Sequence, residues 1–486
     1  TNVAGDRNVA IGEGALQTLN PSGNVDTLNT AVGYNAGLAV TIATNNTLIG
    51  GIAGDAITTG SGVTAVGTNS AGALTTGGDN TAIGYQALKT ATTGTGNTAV
   101  GKDALEATTT ASNNTAVGKA SMEDNTTGTD NTAVGMQALN ANTTGAGNTA
   151  VGTIALDRCT TSSDNTAVGH EALTNMTGGA GNTALGKGTM TGVVTGSNNT
   201  AVGRYALSAN TTASNNVAIG INALVANTTA GTNVAIGVDC LKTNTTGAEN
   251  TAIGAYALQG NTTGTRNTAV GLLAMDANTT GADNVAMGKQ ALGANTTGAF
   301  NTAIGRSAGD SITSGSNNLI LGVSCDVGSG GVSNAMVMGD SVTGVGANNF
   351  TFGNGTLDTN IEMGTTTVST PSDVRLKEDI QDEEVGLDFI NDLRPVTFLW
   401  KKEKDIPSNL RAYKEDSETR TMNGKYNHGF IAQEVKEVID NHDLKEGFSM
   451  WKEDENDGRQ RIGESALMPV MVKAVQELSA QIEELK

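Results

Sequence analysis

Along the first three-quarters of the chain, apolar and polar residues recur with a period of 17, and Asn131–Gly147 (NTAVGMQALNANTTGAG) is a clear copy of the unit. The glycine that closes NTAVG stands at Gly33, Gly50, Gly67 and Gly84 and continues in steps of 17 to Gly322 and Gly339; Gly12 adds an irregular step of 21. The residue before that glycine is apolar, from Ile11, Val32 and Ile49 to Leu321 and Met338, and the residue two before it is Ala nearly throughout, as at Ala82, Ala99, Ala116 and Ala133. A fixed short period of this kind predicts a solenoid, in which no repeat buries its own apolar face and each stacks on its neighbours. Within one unit, NTAVG reads as a short strand, x-x-A-L as a second short apolar stretch, and NTTG as a turn. Two short strands and two turns per unit predict one coil of a parallel β-roll. The column before Gly and the Leu column (Leu88, Leu105, Leu139, Leu156, Leu173) are expected to line the thin interior. The Ala column alternates with the first of these and is expected to face outward, where it would admit another surface closely.

The periodicity dies away after Gly355. TLDTNIEMGTTTVSTP is a Thr-rich connector closed by Pro371, and residues 372–486 read as a mixed α/β domain. Its order is SDVRLKEDI, a helix-like DEEVGLDFINDL, a strand-like PVTFLW, a polar stretch, NHGFIAQEVKEVI and a final apolar-periodic helix. In that helix Leu467, Met471, Ala474, Leu478, Gln481/Ile482 and Leu485 alternate in steps of three and four, the spacing of a short coiled-coil seam. The expected division is a β-roll shaft over 1–355, a connector over 356–371 and a terminal domain over 372–486.

Composition sharpens that boundary. Eight of the 15 aromatic residues lie after Pro371, but only six of the 65 glycines. The formal charge of −20 divides into −11 before Ser372 (11 basic, 22 acidic) and −9 from it onward (17 basic, 26 acidic). An acidic chain without basic stripes predicts no nucleic-acid partner and no anionic membrane surface. No apolar run is long enough to span a membrane, and no signal peptide is recognisable. Cys159, Cys240 and Cys325 fall in different repeats, several turns from one another. At ~4.8 Å per turn they read as free core residues rather than a disulfide. The chain opens inside repeat-like sequence (TNVAGDRNVAIG) without Met, so a further N-terminal segment is expected to join it to other proteins of the same particle.

The pattern N-T-A-V/I-G, over roughly Asn8 to Gly353, resembles the head repeats of trimeric autotransporter adhesins, whose units build a left-handed parallel β-roll that trimerises; the period here is longer. Phage fibre proteins carry similar arrays. In the terminal domain, Ser372, Asp373, Lys377 and Ile380 (SDxxxKxxI), Leu393-Arg394-Pro395-Val396 and Gly429-Phe430-Ile431-Ala432-Gln433-Glu434-Val435, in that order, resemble the intramolecular chaperone domain of endosialidases and phage fibres, peptidase family S74, over essentially the whole of 372–486. The resemblance implies a domain that trimerises, guides folding of the fibre before it, and then cuts itself off. It implies a scissile bond at Pro371–Ser372, with Ser372 as nucleophile and Lys377 as base; Asp373, within the first block, and His428, beside the last, are candidate supporting residues. Read from spacing alone, Lys377 would pair with Glu378 or Asp379 at the surface, and His428 would pack.

Other chemistries find little purchase. The NTT triplets at Asn142, Asn210, Asn227, Asn244, Asn261, Asn278 and Asn295 match a glycosylation acceptor but read as one turn copied many times. Adjacent threonines such as Thr143 and Thr144 point to opposite sides and do not form the flat ladder of an ice-binding face. The acidic residues keep no fixed position, so no calcium site and no other metal or cofactor is expected. A solenoid without insertions from Gly33 to Gly339 offers no loops for a glycosidase cleft. The expectation is a homotrimeric phage tail fibre or appendage of the virion that binds a host-surface receptor, enzymatic at most in one self-cleavage. The alternatives are a bacterial trimeric adhesin head at the cell surface, or an ice-binding solenoid.

Overall fold

The computed structural model describes residues 5–486 apart from 23–24, 356–357, 366–367, 370–371, 373, 409, 411, 423, 445–447 and 454–458. The chain divides into two compact units, Thr1–Pro371 and Ser372–Lys486. The first is a parallel β-solenoid of about twenty turns. Its rungs run from Val9–Ile11 and Thr30–Val32 to Met336–Asp340 and Asn349–Gly353. Successive rungs pair at the repeat period, as in Thr132↔Thr149, Ala133↔Ala150 and Val134↔Val151. The first step is longer (Ala10↔Ala31), and the last is shorter (Gly339↔Gly353). After the last rung the direction reverses: Asp358–Glu362 and Val368–Ser369 pair antiparallel, so part of the Thr-rich connector continues the sheet.

Two expectations about the coil are corrected. Each repeat holds one short strand, such as Thr81–Ile83, and the x-x-A-L segment is a turn rather than a second strand. Gln86 and Leu88 both adopt left-handed backbone (φ 57° and 55°), which coils the chain tightly and turns the leucine inward. The faces of the strand are also reversed. From Ala31 onward the Ala column is fully buried, whereas the column before glycine is half-exposed, with Ile83 at 40% and Val134 at 37%. Alternation says that the two columns oppose but not which one is inside. In a coil this thin the strand lies so close to the Leu column that a methyl group fills the gap. Glycine ends each strand because the backbone there is left-handed, with φ 140° at Gly84, and a Cβ on Gly84 would overlap the carbonyl oxygen of Gly101 on the next rung.

Between Ala and Leu the interior is polar, and asparagine satisfies it. The first Asn of each repeat forms a ladder: Asn97 donates its backbone N–H (2.9 Å) and Nδ2 (3.1 Å) to Asn80 Oδ1, and donates Nδ2 to the Ala111 carbonyl at 2.9 Å. The pattern repeats through Asn318. A second ladder links the NTT asparagines, with Asn261 Nδ2 on Asn244 Oδ1 at 2.8 Å and on the Gly264 carbonyl at 3.0 Å. All eight NTT asparagines, Asn125 among them, are fully buried. No glycan can reach them, in keeping with their reading as a turn. The three cysteines are free and buried, and burial pushes the thiols of Cys159 and Cys240 up to about 11 and about 12.

The second unit is built around unlike side chains. Helix α1 (Leu387–Asp392), α2 (Ala432–Asn441) and α3 (Leu467–Glu484) enclose Phe389, Val435, Ile439, Met450 and Val470, with Phe448 edge-on to Phe389 at 5.4 Å. Two short antiparallel pairs, Val396–Phe398 with Asn427–Gly429 and Trp451–Glu453 with Gln460–Ile462, complete it. Leu467 and Ala474, expected on an outward seam, are buried with Val470, because this face of α3 packs on the domain core. The outward stripe of α3 is Met468, Met471, Val475, Leu478, Ile482 and Leu485, again in steps of three and four.

Candidate functional site

The site residues lie at the start of the second unit. A single turn of 3₁₀ helix, Val374–Leu376, follows Ser372, and the Lys377 N–H bonds back to the Val374 carbonyl at 3.2 Å. This turn folds Lys377 back on itself, so that Nζ lies 2.8 Å from Ser372 Oγ. The lysine therefore reaches the serine hydroxyl, not the neighbouring Glu378 or Asp379 that spacing alone would favour. Both side chains are exposed. A lysine can accept a proton only after losing its own, which burial promotes, and one isolated chain supplies no such burial here. Pro371 and Asp373 lie outside the described residues. His428 is exposed on the strand opposite Thr397, whose hydroxyl lies 3.4 Å from its Nδ1, and it lines a groove with Phe430, Met468 and Met471. Nothing among the described residues ties its ring to the Ser–Lys pair.

Sequence reading missed what joins the motif blocks. Arg394, from Leu-Arg-Pro-Val, forms a two-pronged ion pair with Glu434, from Gly-Phe-Ile-Ala-Gln-Glu-Val, with Nε 3.0 Å from Oε2. The same contact raises the arginine's affinity for its proton and holds the carboxyl below the usual range. Val396–Phe398 then pairs with Asn427–Gly429, so the two blocks form one sheet. Opposite charge at two motif positions well separated in the chain was the available signal. A third link is Glu477 of α3, which accepts from the Leu387 N–H at 2.7 Å and caps α1.

On the solenoid, Asp103, Glu106 and Glu123 bring carboxylate oxygens within 4.8 Å of one another. Lys102 (3.1 Å), Lys89 (2.9 Å) and the Asn140 amide (3.1 Å) meet them in turn. Three carboxylates thus meet two lysines and one amide, and Asp103 Oδ1 is buried without a hydrogen-bond partner, so the cluster keeps a net negative charge while most of it is tied into a surface network.

No curated protein and no solved structure matches the chain. Residues 372–444 match the family model described as Peptidase_S74, chaperone of endosialidase, a span that ends before the hairpin at Trp451 and before α3. The chain therefore carries an intramolecular-chaperone domain immediately after a solenoid of near-identical rungs.

Proposed function

We propose that the chain is a homotrimeric phage tail fibre or appendage of the virion, with a host-binding shaft. Its terminal domain sets trimer and register and then releases itself between Pro371 and Ser372. Two exposed apolar stripes support the trimer: the column before glycine along the shaft and the Met468-to-Leu485 face of α3. Near-identical rungs support the need for a chaperone, since sliding one chain by a single repeat keeps almost every contact.

The observation that carries the self-cleavage is the 2.8 Å contact between Lys377 Nζ and Ser372 Oγ. Neutral Lys377 takes the hydroxyl proton as Oγ attacks the carbonyl carbon of residue 371. The C–N bond then breaks, the amine of residue 372 takes the proton, and water hydrolyses the ester that remains. Because both side chains stand exposed in the single chain, assembly of the trimer supplies the covering that makes Lys377 a base. The test is a denaturing gel with N-terminal sequencing. Wild type should yield a fragment spanning 372–486 and beginning Ser372-Asp373-Val374, while Ser372→Ala and Lys377→Ala should stay whole and still trimerise. A wild-type chain that remains intact after prolonged incubation would mean that the domain is a retained tip.

A further inference from the structure

The residue that follows each rung glycine forms one exposed ridge along the solenoid, and its chemistry differs from the rest of the surface: contrary to the expectation of a chain without basic stripes, stacking collects scattered cations into one. From Tyr34 to Val323 this position carries no acidic residue, although the shaft is acidic overall. Six of the 11 shaft lysines and arginines occupy it: Lys102, Lys119, Lys187, Arg204, Lys289 and Arg306, all exposed. The four shaft tyrosines are here too, all exposed: Tyr34 and Tyr85 on the ridge, and Tyr205 and Tyr256 one residue beyond it, in a flanking column that also holds Asp103, Glu171 and Asp239. Lys102 lies 5.8 Å from the Tyr85 ring centre, and the Arg204 guanidinium lies 5.3 Å from that of Tyr205. Ile221, Val238 and Leu272 occupy the same ridge between the second and third groups of cations.

The cations come as stacked doublets on adjacent rungs: Lys102/Lys119, Lys187/Arg204 and Lys289/Arg306. Elsewhere the shaft stacks opposite charges one rung apart and they bond, as in Lys89–Glu106 (2.9 Å) and Arg266–Asp283 (2.7 Å). Like charges at ~4.8 Å on neighbouring strands repel, yet among the described residues only Lys102 of these six has an ion pair. A parallel, in-register trimer cannot turn three copies of this ridge toward one another, since the cations would meet their own kind. Successive doublets stand five and six rungs apart. That is ~24 and ~29 Å at ~4.8 Å per rung, so a small anion cannot serve them together.

We infer that this ridge binds a linear acidic polysaccharide lying along the rod, its carboxylate or sulfate groups on the cation doublets and its sugar rings against the tyrosines. The inference rests on the reading of the shaft as a host-surface binder and names the chemistry of its receptor. The test uses the complete fibre and a variant carrying Lys187→Ser, Arg204→Ser, Lys289→Ser and Arg306→Ser. Retention is measured on heparin (sulfated), alginate (carboxylate) and dextran (neutral), with double-stranded DNA as a further probe, alongside trimer mass and adsorption to cells. Expected are salt-sensitive binding of wild type to heparin or alginate but not dextran, weakening of about tenfold or more in the variant, and an unchanged trimer. Equal binding by the variant, failure to bind either acidic polymer, or equal binding of DNA overturns the inference. So does a variant that loses its trimer at low salt, because the ridge would then face acids of a neighbouring copy. A fibre that adsorbs to cells yet ignores both acidic polymers sinks this inference alone; one that binds them yet adsorbs to no cell sinks the adhesive reading instead.

Discussion

The two units solve the same problem in opposite ways. In the shaft, every rung is held by the rung beside it, through methyl groups, leucines and a first asparagine ladder that recur along the stack, with a second asparagine ladder over part of it. In the terminal unit, Phe389, Met450 and Val470 meet partners from distant parts of the chain, and nothing repeats. Repetition makes a rod that is stable wherever rungs stack, but it leaves the choice of partner rung nearly free. A core of unlike residues admits one arrangement. On the proposed function, joining the two at Ser372 lets the unique part choose a register that the repetitive part then keeps.

The largest way to break this comparison is to delete residues 372–486 before folding. The remaining shaft is expected to aggregate or assemble out of register, and soluble β-rich trimers by light scattering would show that the rungs align unaided. Next come core truncations, which should separate the units by what they disturb. Phe389→Ala, at ~3–5 kcal/mol, is expected to cut the yield of assembled trimer, whereas Leu139→Ala, at ~2–5 kcal/mol, should spare the yield and lower the shaft's melting temperature. If yield follows Leu139→Ala instead, the chaperone is not what limits assembly. Asn131→Ala is smaller. It leaves the Asn148 N–H without its partner, at ~1–3 kcal/mol for the buried group, and takes one of two donors from the Gly145 carbonyl, which Asn142 Nδ2 still holds. Faster hydrogen exchange at the Asn148 amide, with distant rungs unchanged, is the expected readout.

The smallest effect is with pH, and its sign differs between Glu418 of the terminal unit and the buried carboxyls of the shaft; the shaft's Asp283, held down by Arg266, is an exception. Lys402 and Lys404, by hydrogen bonding, hold the Glu418 carboxyl down at about 2. A depressed carboxyl stabilises above its unfolded value of 4.5, and this contribution is lost as pH falls from there through about 2. Burial instead raises Asp55, Asp157 and Asp276 above their ordinary 3.8. Those groups hold a proton more readily when folded, so they stabilise on acidification and weaken the shaft as pH rises above 3.8. Acid titration followed by circular dichroism should unfold the terminal unit before the shaft, and Glu418→Gln should flatten the terminal unit's slope below pH 4.5.

Much of this was legible in residue spacing. The period of 17, the glycine at each strand end and the leucine column are properties of the pattern itself. Which strand face is inside was not, because alternation fixes opposition without direction, and the answer depends on how close Leu88 and Ala82 lie across the coil. Helix α3 misled for a related reason: it is apolar on two faces, and only packing on the domain core assigns Leu467 and Ala474 to one and Val475 and Ile482 to the other. Ser372 and Lys377 could be named from their motif, but their contact depends on a turn at Val374–Leu376 that spacing does not announce.

The asparagine ladder gives the rod a chemical polarity. In each link the earlier residue offers Oδ1 and the later one brings the two N–H groups, as Asn131 does for Asn148. A stack that grows from the Ser372 end toward the N-terminus therefore presents donors at its propagating end, and each incoming rung supplies the acceptor that quenches them. Assembly is then a templated polymerisation in which the monomer is a stretch of the chain itself. The second ladder has breaks as well: where Cys159 and Ile312 stand in place of asparagine, Asn142 and Asn295 are left with Oδ1 unmatched, and Asn210 Oδ1 is unmatched too although Asn227 follows it. Those rungs are the joints at which such a polymer should pause as it forms and open first when it is pulled, a pattern that stretching single fibres can read as steps near Asn142, Asn210 and Asn295.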